Sequence, residues 1–441
     1  MNIHPIRLAA ILIGLGALNA AAQPNIVVIV SDDCGYNEFS LHGTKLYPTP
    51  RIDSIAANGV NFTNGYVSGS VCSPSRAGLL TGRYQERFGH EHNIPPVYSE
   101  ANGLALAETL LPQVLKPAGY RSIALGKWHL GYAPKFHPLS RGFDDYYGFL
   151  QGQRSYFPLQ KTNRLNALLR DREPVKEEFT YMTDELGRAA ADYINKNKER
   201  PFFMYLCFNA THTPIQTLES DIKGIEDTKP LRKKLRAMAA ALDRSVGVVL
   251  DELKQDGLLD NTLVVFINDN GGAGGHDNAP LHGMKGSFWE GGIRVAYAMQ
   301  WPGVLPKGKT CDAPVISLDI FPTAMAAAGV DKSSGKPLDG VNLIPYLTGK
   351  TEVRPHQTLF WKAGATGAVR DGDLKLVLGY QKNGAPELFD LAKDKAETTN
   401  IAAERAADAQ RLQHLFSDWK NDFPAPLWGP GAEPAESMST D

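Results

Sequence analysis

Four oxygen-bearing residues stand out first: Asp32, Asp33, Asp269 and Asn270. Two adjacent carboxylates repel each other unless a cation lies between them. Carboxylate and amide oxygens are hard ligands, which suit Ca²⁺ or Mg²⁺ and not zinc or copper. A second group is Cys72-Ser-Pro-Ser-Arg76, followed by Ala-Gly-Leu-Leu-Thr81-Gly82. Pro74 is placed for the N1 position of a helix that runs to a Gly82 cap. Cys72 then lies at a helix N-terminus, where the dipole and free N–H groups attract anions. Arg76, four residues on, can turn back towards it. On residues alone, Cys72 is a nucleophile of lowered pKa or a buried structural cysteine.

The elements that must position these groups alternate. Asn25 to Val30 is a continuous apolar, β-branched run, as expected of a strand buried on both faces, and it leads directly into Asp32-Asp33. Thr262 to Ile267 is another such run and ends in Asn268-Asp-Asn-Gly-Gly272. Tyr120 to Leu125, Pro201 to Phe208 and Val295 to Gln300 are further strands. Arg51 to Asn58, Leu104 to Leu115, Tyr181 to Lys196 and Leu231 to Lys254 have helical patterns. This alternation predicts an α/β fold: a large mixed, mostly parallel sheet sandwiched by helices, with the site at the carboxyl ends of its strands. After about residue 345 the pattern changes. Short strands at 359–361, 368–370, 374–378 and 388–389, then a helix at 401–419, predict a small C-terminal antiparallel sheet with one helix. The expected divisions are 1–22, a catalytic α/β domain at 23–345, an α+β subdomain at 346–423 and a flexible tail at 424–441, rich in Pro, Ala, Gly and Ser.

Residues 1–22 carry one early positive charge, an apolar run from Leu8 to Leu18 and small residues at Ala20 to Ala22. They are expected to be a cleaved secretory signal peptide, which makes the mature protein periplasmic or secreted. No other run reaches the roughly 18 apolar residues of a membrane span. The 46 basic and 48 acidic residues give a net charge of −2, which argues against general nucleic-acid binding. Four cysteines (Cys34, Cys72, Cys207 and Cys311) are too few for a disulfide scaffold. The two Asn-x-Thr sequences, at Asn61 and Asn209, are taken as chance matches to the glycosylation acceptor pattern.

The stretch from Ser70 to Gly82 resembles the signature of the type I, formylglycine-dependent sulfatases of the alkaline-phosphatase-like superfamily. Gly119-Tyr-Arg-Ser-Ile-Ala-Leu-Gly-Lys127-Trp-His129 resembles the second signature of that family, with Leu125 larger than usual. Asn209 to Pro214, Gly283 to Gly292, Ala368 to Lys375 and Glu387 to Leu391 extend the resemblance over nearly the whole mature chain. It implies that Cys72 is oxidised to Cα-formylglycine by a formylglycine-generating enzyme and then hydrated. It implies a Ca²⁺ site (Mg²⁺ being possible) of Asp32, Asp33, Asp269, Asn270 and the modified Cys72. It further implies that Arg76 supports the diol and the ligand carboxylates, that His129 takes a proton from the diol, and that Lys127 and Lys285 bind sulfate. His212 would partner the ester oxygen. His282, where many relatives carry Arg, together with His92 and Arg154, is expected to face the substrate. The expected activity is that of an exported sulfuric ester hydrolase acting on a sulfated carbohydrate. Two alternatives stand beside it: a phosphate or phosphonate monoester hydrolase of the same superfamily, and an unmatured glycan-binding protein.

Overall fold

A computed structural model describes residues 23–331 and 335–432. The expected signal peptide lies outside the described residues. A ten-stranded sheet forms the centre. Its middle runs in the order Thr262–Asn268, Asn25–Ser31, Phe202–Cys207, Arg121–Lys127 and Asp145–Phe149, all parallel. Tyr297–Gln300 joins it antiparallel beside Thr262–Asn268. Along Asn25–Ser31 alternate side chains feed two cores: Ile26, Val28 and Val30 on one face, Val27 and Ile29 on the other. This is why the strand has no polar alternation. The helices Met182–Asn197 and Pro230–Gln255 cover the second face.

A four-stranded antiparallel sheet follows, Thr358–Ala363, Thr366–Asp371, Leu374–Leu378 and Glu387–Asp390. Helix Ala406–Lys420 packs on it through Ala409, Leu412 and Phe416. The mixed central sheet and the small C-terminal sheet with its helix are those expected. Among the described residues no helix is long and apolar enough to cross a membrane.

Local differences have local causes. The helix expected over 104–115 is only Leu111–Leu115. Pro112 has no N–H to give to the carbonyl of Glu108 four residues earlier. Arg141 serves that carbonyl instead, at 2.9 Å, and also that of Leu104, at 2.6 Å. The last helix starts at Ala406 and not at 401, because the Ile401 N–H donates to the Leu388 carbonyl at the sheet. Residues 424–432 differ from the flexible tail expected from Pro424. Leu427 N–H donates to the Gly89 carbonyl, and buried Trp428 donates from Nε1 to the His92 carbonyl at 3.0 Å. Asn209, in one of the Asn-x-Thr sequences, is buried.

Candidate active site

The carboxyl ends of four parallel strands converge. Asn25–Ser31 delivers Asp32 and Asp33, Arg121–Lys127 delivers Lys127 and then His129, Phe202–Cys207 leads to His212, and Thr262–Asn268 leads to Asp269 and Asn270. Facing them is the buried helix Cys72–Thr81. Cys72 is its first residue and Pro74 its third, a correction to Pro74 at N1. A proline is tolerated there because the first N–H groups of a helix have no intrahelical partner. Gly82 closes the helix in the left-handed region at φ 65°.

Buried ion pairs knit the cluster. Lys127 Nζ lies 2.5 Å from Asp32 Oδ2. Lys285 Nζ lies 2.7 Å from Asp33 Oδ1 and 3.3 Å from Cys72 Sγ. Cys72 Sγ is 3.6 Å from Asp32 Oδ1. Arg76 donates to Asp269 Oδ2 from Nε at 3.0 Å and from its terminal nitrogen at 2.8 Å. Its other terminal nitrogen donates to the Lys127 carbonyl at 3.1 Å. Asn270 Nδ2 donates to Asp33 Oδ1 at 2.8 Å. His212 Nδ1–H donates to the Thr213 carbonyl at 2.7 Å, leaving Nε2 at 3.6 Å from Asp33 Oδ2. All the residues expected at the catalytic and metal site are therefore near one another or joined by one partner, save for His129, which is tied in through backbone.

His129 adopts φ 56°, unusual for a residue with a side chain. Its N–H donates to the Leu150 carbonyl and its own carbonyl accepts from Ser73 Oγ at 2.7 Å. Burial, reinforced by Lys127 and Arg76, holds its imidazole well below the usual range, so the ring is neutral. Its Nδ1 is buried and has no hydrogen-bond partner.

Burial raises the carboxyl of Asp32, but Lys127 and His212 outweigh it and keep it ionised. Asp33 behaves likewise through Lys285 and His212. The Cys72 thiol goes the other way: burial pushes it up to about 12. This corrects the expectation of a lowered pKa at the helix N-terminus, because desolvation exceeds the help from Lys127 and Lys285. An unmodified Cys72 is a neutral thiol. All four cysteines are free and buried.

The donor set fits a hard cation. Ligand atoms of Asp32, Asp33, Cys72 and His212 lie within 4.8 Å of one another. Asn270 Oδ1 is buried without a partner, an amide oxygen left over beside ionised carboxylates. His212 stands beside the expected ligand group, its Nε2 3.6 Å from Asp33 Oδ2.

The three residues expected at the substrate are differently placed. His282 is exposed and stacks on Trp289, with ring centroids 4.5 Å apart. His92 Nε2 is tied to the Pro430 carbonyl at 2.9 Å. Arg154 is a buried ion-pair member, 2.6 Å from Glu177, although one of its terminal nitrogens has no partner. Sequence reasoning missed Glu177, and nothing in its neighbourhood marks it. It also gave Ser73 no role, and His90 none beyond membership of the polar segment 88–93 that resembles a sugar-lining loop: Ser73 Oγ is 2.6 Å from His90 Nε2, and the Ser73 N–H donates to Asn93 Oδ1 at 2.9 Å.

A hydrolytic α/β scaffold with a cation-type cluster at a helix-borne Cys72 is what the fold and site define. The chain belongs to the sulfatase family: residues 24–330 match the sulfatase model. Residues 283–418 match the C-terminal model of N-sulphoglucosamine sulphohydrolase. Among curated proteins it is similar to human N-acetylgalactosamine-6-sulfatase, 34% identical over 80% of this chain and 71% of the relative. Among solved structures it is similar to Ps i-CgsB in complex with k-i-k-neocarrahexaose, with a TM-score of 0.86 and 35% identity over 92% of this chain and 94% of that one. The PsFucS1 sulfatase from a Pseudoalteromonas species shares the fold, at a TM-score of 0.75 and 23% identity, covering 91% of this chain and 92% of that one. The protein is accordingly a type I sulfatase, a sulfuric ester hydrolase.

Proposed function

We propose that this protein is an exported sulfatase that removes sulfate esters from sugars of a sulfated glycan, using Cys72 matured to hydrated formylglycine and a Ca²⁺ ion. Mg²⁺ is the alternative cation. The observation that carries the reading is the position of Cys72: buried, a neutral thiol, and held between Lys285 and Asp32. A thiol pushed up to about 12 is a poor nucleophile in that place. A gem-diol on the same carbon is a competent one. The relatives that act on or bind sugars support the carbohydrate part, namely the human N-acetylgalactosamine-6-sulfatase and the neocarrahexaose complex.

Asp32, Asp33, Asp269 and Asn270 would hold the cation, which would supply Lewis-acid polarisation of a sulfate oxygen. The chain's own residues do the rest. Lys127, paired with Asp32, and Lys285, beside Cys72, neutralise sulfate charge. Arg76 fixes Asp269 by two hydrogen bonds to one oxygen, leaving the other oxygen free of it. Neutral His129 takes a proton from the diol, so that the sulfated intermediate collapses. His212, held by its Nδ1 contact to the Thr213 carbonyl, serves the leaving ester oxygen from Nε2 as general acid. The likeness to a phosphonate monoester hydrolase from Agrobacterium radiobacter, at 21% identity, is one of fold alone.

The test has two parts. Mass spectrometry of the peptide spanning Cys72, from a host with a formylglycine-generating enzyme, should show the aldehyde and its hydrate. Sulfate release should be seen from at least one member of a panel of defined sulfated mono- and oligosaccharides, and should exceed phosphate release from matched esters. An intact thiol in active protein, or phosphate as the better leaving anion, overturns the reading.

A further inference from the structure

A second cavity lies on the loop that follows His129. Tyr132 and His137 are buried there, and both line a space of about 490 Å³. That volume falls within the roughly 300–1,000 Å³ of small-molecule sites. His137 Nδ1 accepts the Leu139 N–H at 3.3 Å, so the ring's hydrogen is on Nε2. That Nε2–H and the Tyr132 hydroxyl are both buried: the hydroxyl has no hydrogen-bond partner, and the Nε2–H has nothing beyond a weak approach to the Asp171 backbone. An orphaned hydroxyl beside an under-paired ring N–H on one cavity wall is unusual in a folded core, since each costs free energy until something pairs with it.

The remaining walls complete a pattern. Leu150 and Ala167 supply an apolar face, and Arg164 and Arg172 stand at the rim. No carboxylate lines the cavity. Among the described residues neither arginine has a carboxylate within ion-pair distance. Arg164 lies over the Tyr98 ring, 3.4 Å from its centroid, and donates from one nitrogen to the Tyr98 hydroxyl, which itself donates to Glu100; Arg172 donates to Ser140 Oγ at 2.8 Å. The place is therefore locally cationic in a chain of net charge −2. It is also next to the catalytic centre. The Leu150 carbonyl accepts the His129 N–H at 3.1 Å, and Tyr132 is three residues beyond His129, so their Cα atoms are at most about 11 Å apart.

We propose that this cavity is a second subsite that takes a sulfated sugar ring from the same glycan chain whose sulfate ester is cut at Cys72. The apolar face of the ring would lie on Leu150 and Ala167. Ring hydroxyls would pair with the Tyr132 hydroxyl and the His137 Nε2–H, and the sulfate would meet Arg164 and Arg172. The inference rests on the sulfatase reading for the identity of the chain, and its test separates the two.

Binding of k-i-k-neocarrahexaose and of a tetrasaccharide bearing N-acetylgalactosamine 6-sulfate is measured by calorimetry in C72A protein, which cannot turn over. The same titrations are run with Tyr132→Phe, His137→Phe or Arg172→Gln added. In parallel, the matured enzyme and the same three variants are assayed for sulfate release from these oligosaccharides and from the monosaccharide N-acetylgalactosamine 6-sulfate. Each variant should raise Kd and KM for an oligosaccharide about tenfold, as expected for one lost hydrogen bond to a charged or buried partner, with kcat unchanged. The monosaccharide should be unaffected. Equal effects on both sizes, no effect, or no oligosaccharide binding overturns the subsite. Binding that the variants weaken, without sulfate release from any substrate, overturns the sulfatase reading and leaves the subsite standing.

Discussion

Arg76 meets Asp269 at a single oxygen, donating to Oδ2 from both Nε and a terminal nitrogen while the pair is fully buried. The second carboxylate oxygen, Oδ1, faces the Asp33 N–H at 3.4 Å. Arg76 thus orients a carboxylate without occupying it. A lysine supplies one point charge and cannot reproduce this fork. Arg76→Lys should fold and lose most sulfate release. Arg76→Ala should also destabilise the fold, by about 3–5 kcal/mol, because it leaves a buried carboxylate short of its partner. Urea unfolding beside a sulfate-release assay checks both; full activity in the lysine variant would sink the argument.

The His129 ring is held from behind by Gly152. A Cβ at position 152 would lie 2.6 Å from two ring atoms, closer than real contacts allow. Gly152→Ala should push the imidazole out of place and lower kcat at least tenfold, up to the roughly 10²–10⁴ that a general base contributes in full, with little change in Tm. In a His129→Gln background the same substitution should have almost no further effect on rate. Independent, additive losses would show that Gly152 acts elsewhere.

Much of this site could be read from the chain because its residues sit just past hydrophobic strands. Asp32-Asp33 and Asp269-Asn270 each follow an all-buried run, and a parallel sheet brings such ends together. What could not be read depends on long-range partners. Arg154 stands beside aromatic neighbours in the sequence, but its ion pair with Glu177 is a contact that no local pattern encodes. Composition made residues 424–432 a loose tail, but a single tryptophan finding a buried place outweighs nine residues rich in Pro and Gly. The choice between the two readings of Cys72 stays open in the sequence for the same reason: a helix N-terminus is visible there, the depth of burial is not.

That tail makes its own prediction. Trp428 packs edge-on against His90, with centroids 4.8 Å apart, and His90 in turn touches Ser73 beside Cys72. Truncation after residue 423, or Trp428→Ala, should lower Tm, since removing a buried tryptophan side chain costs about 3–5 kcal/mol in a full core and less here at the edge. It should also reduce sulfate release at temperatures where the protein remains folded. A truncated enzyme of unchanged Tm and rate would mean that the contact is incidental.

His90 gives the pH dependence its sign. The Ser73 hydroxyl donates to the His129 carbonyl, so the hydrogen between Ser73 and His90 must come from Nε2. The other nitrogen, Nδ1, is buried without a partner. Burial lowers the imidazole to about 3, against an ordinary value of 6.5. Below pH 6.5 the unfolded chain binds a proton that the folded chain refuses, so stability falls as pH falls. The loss is about 1.4 kcal/mol per pH unit for each such histidine, or about 2 kcal/mol from pH 6.5 to pH 5. His137, lowered by burial to about 4, adds a similar slope over the same window. Urea unfolding at about pH 7 and pH 5 should show the drop in wild type. His90→Gln, which can keep the hydrogen bond to Ser73 but cannot titrate, should be less stable at pH 7 and lose less on acidification. A variant with the same slope as wild type would remove His90 as its source.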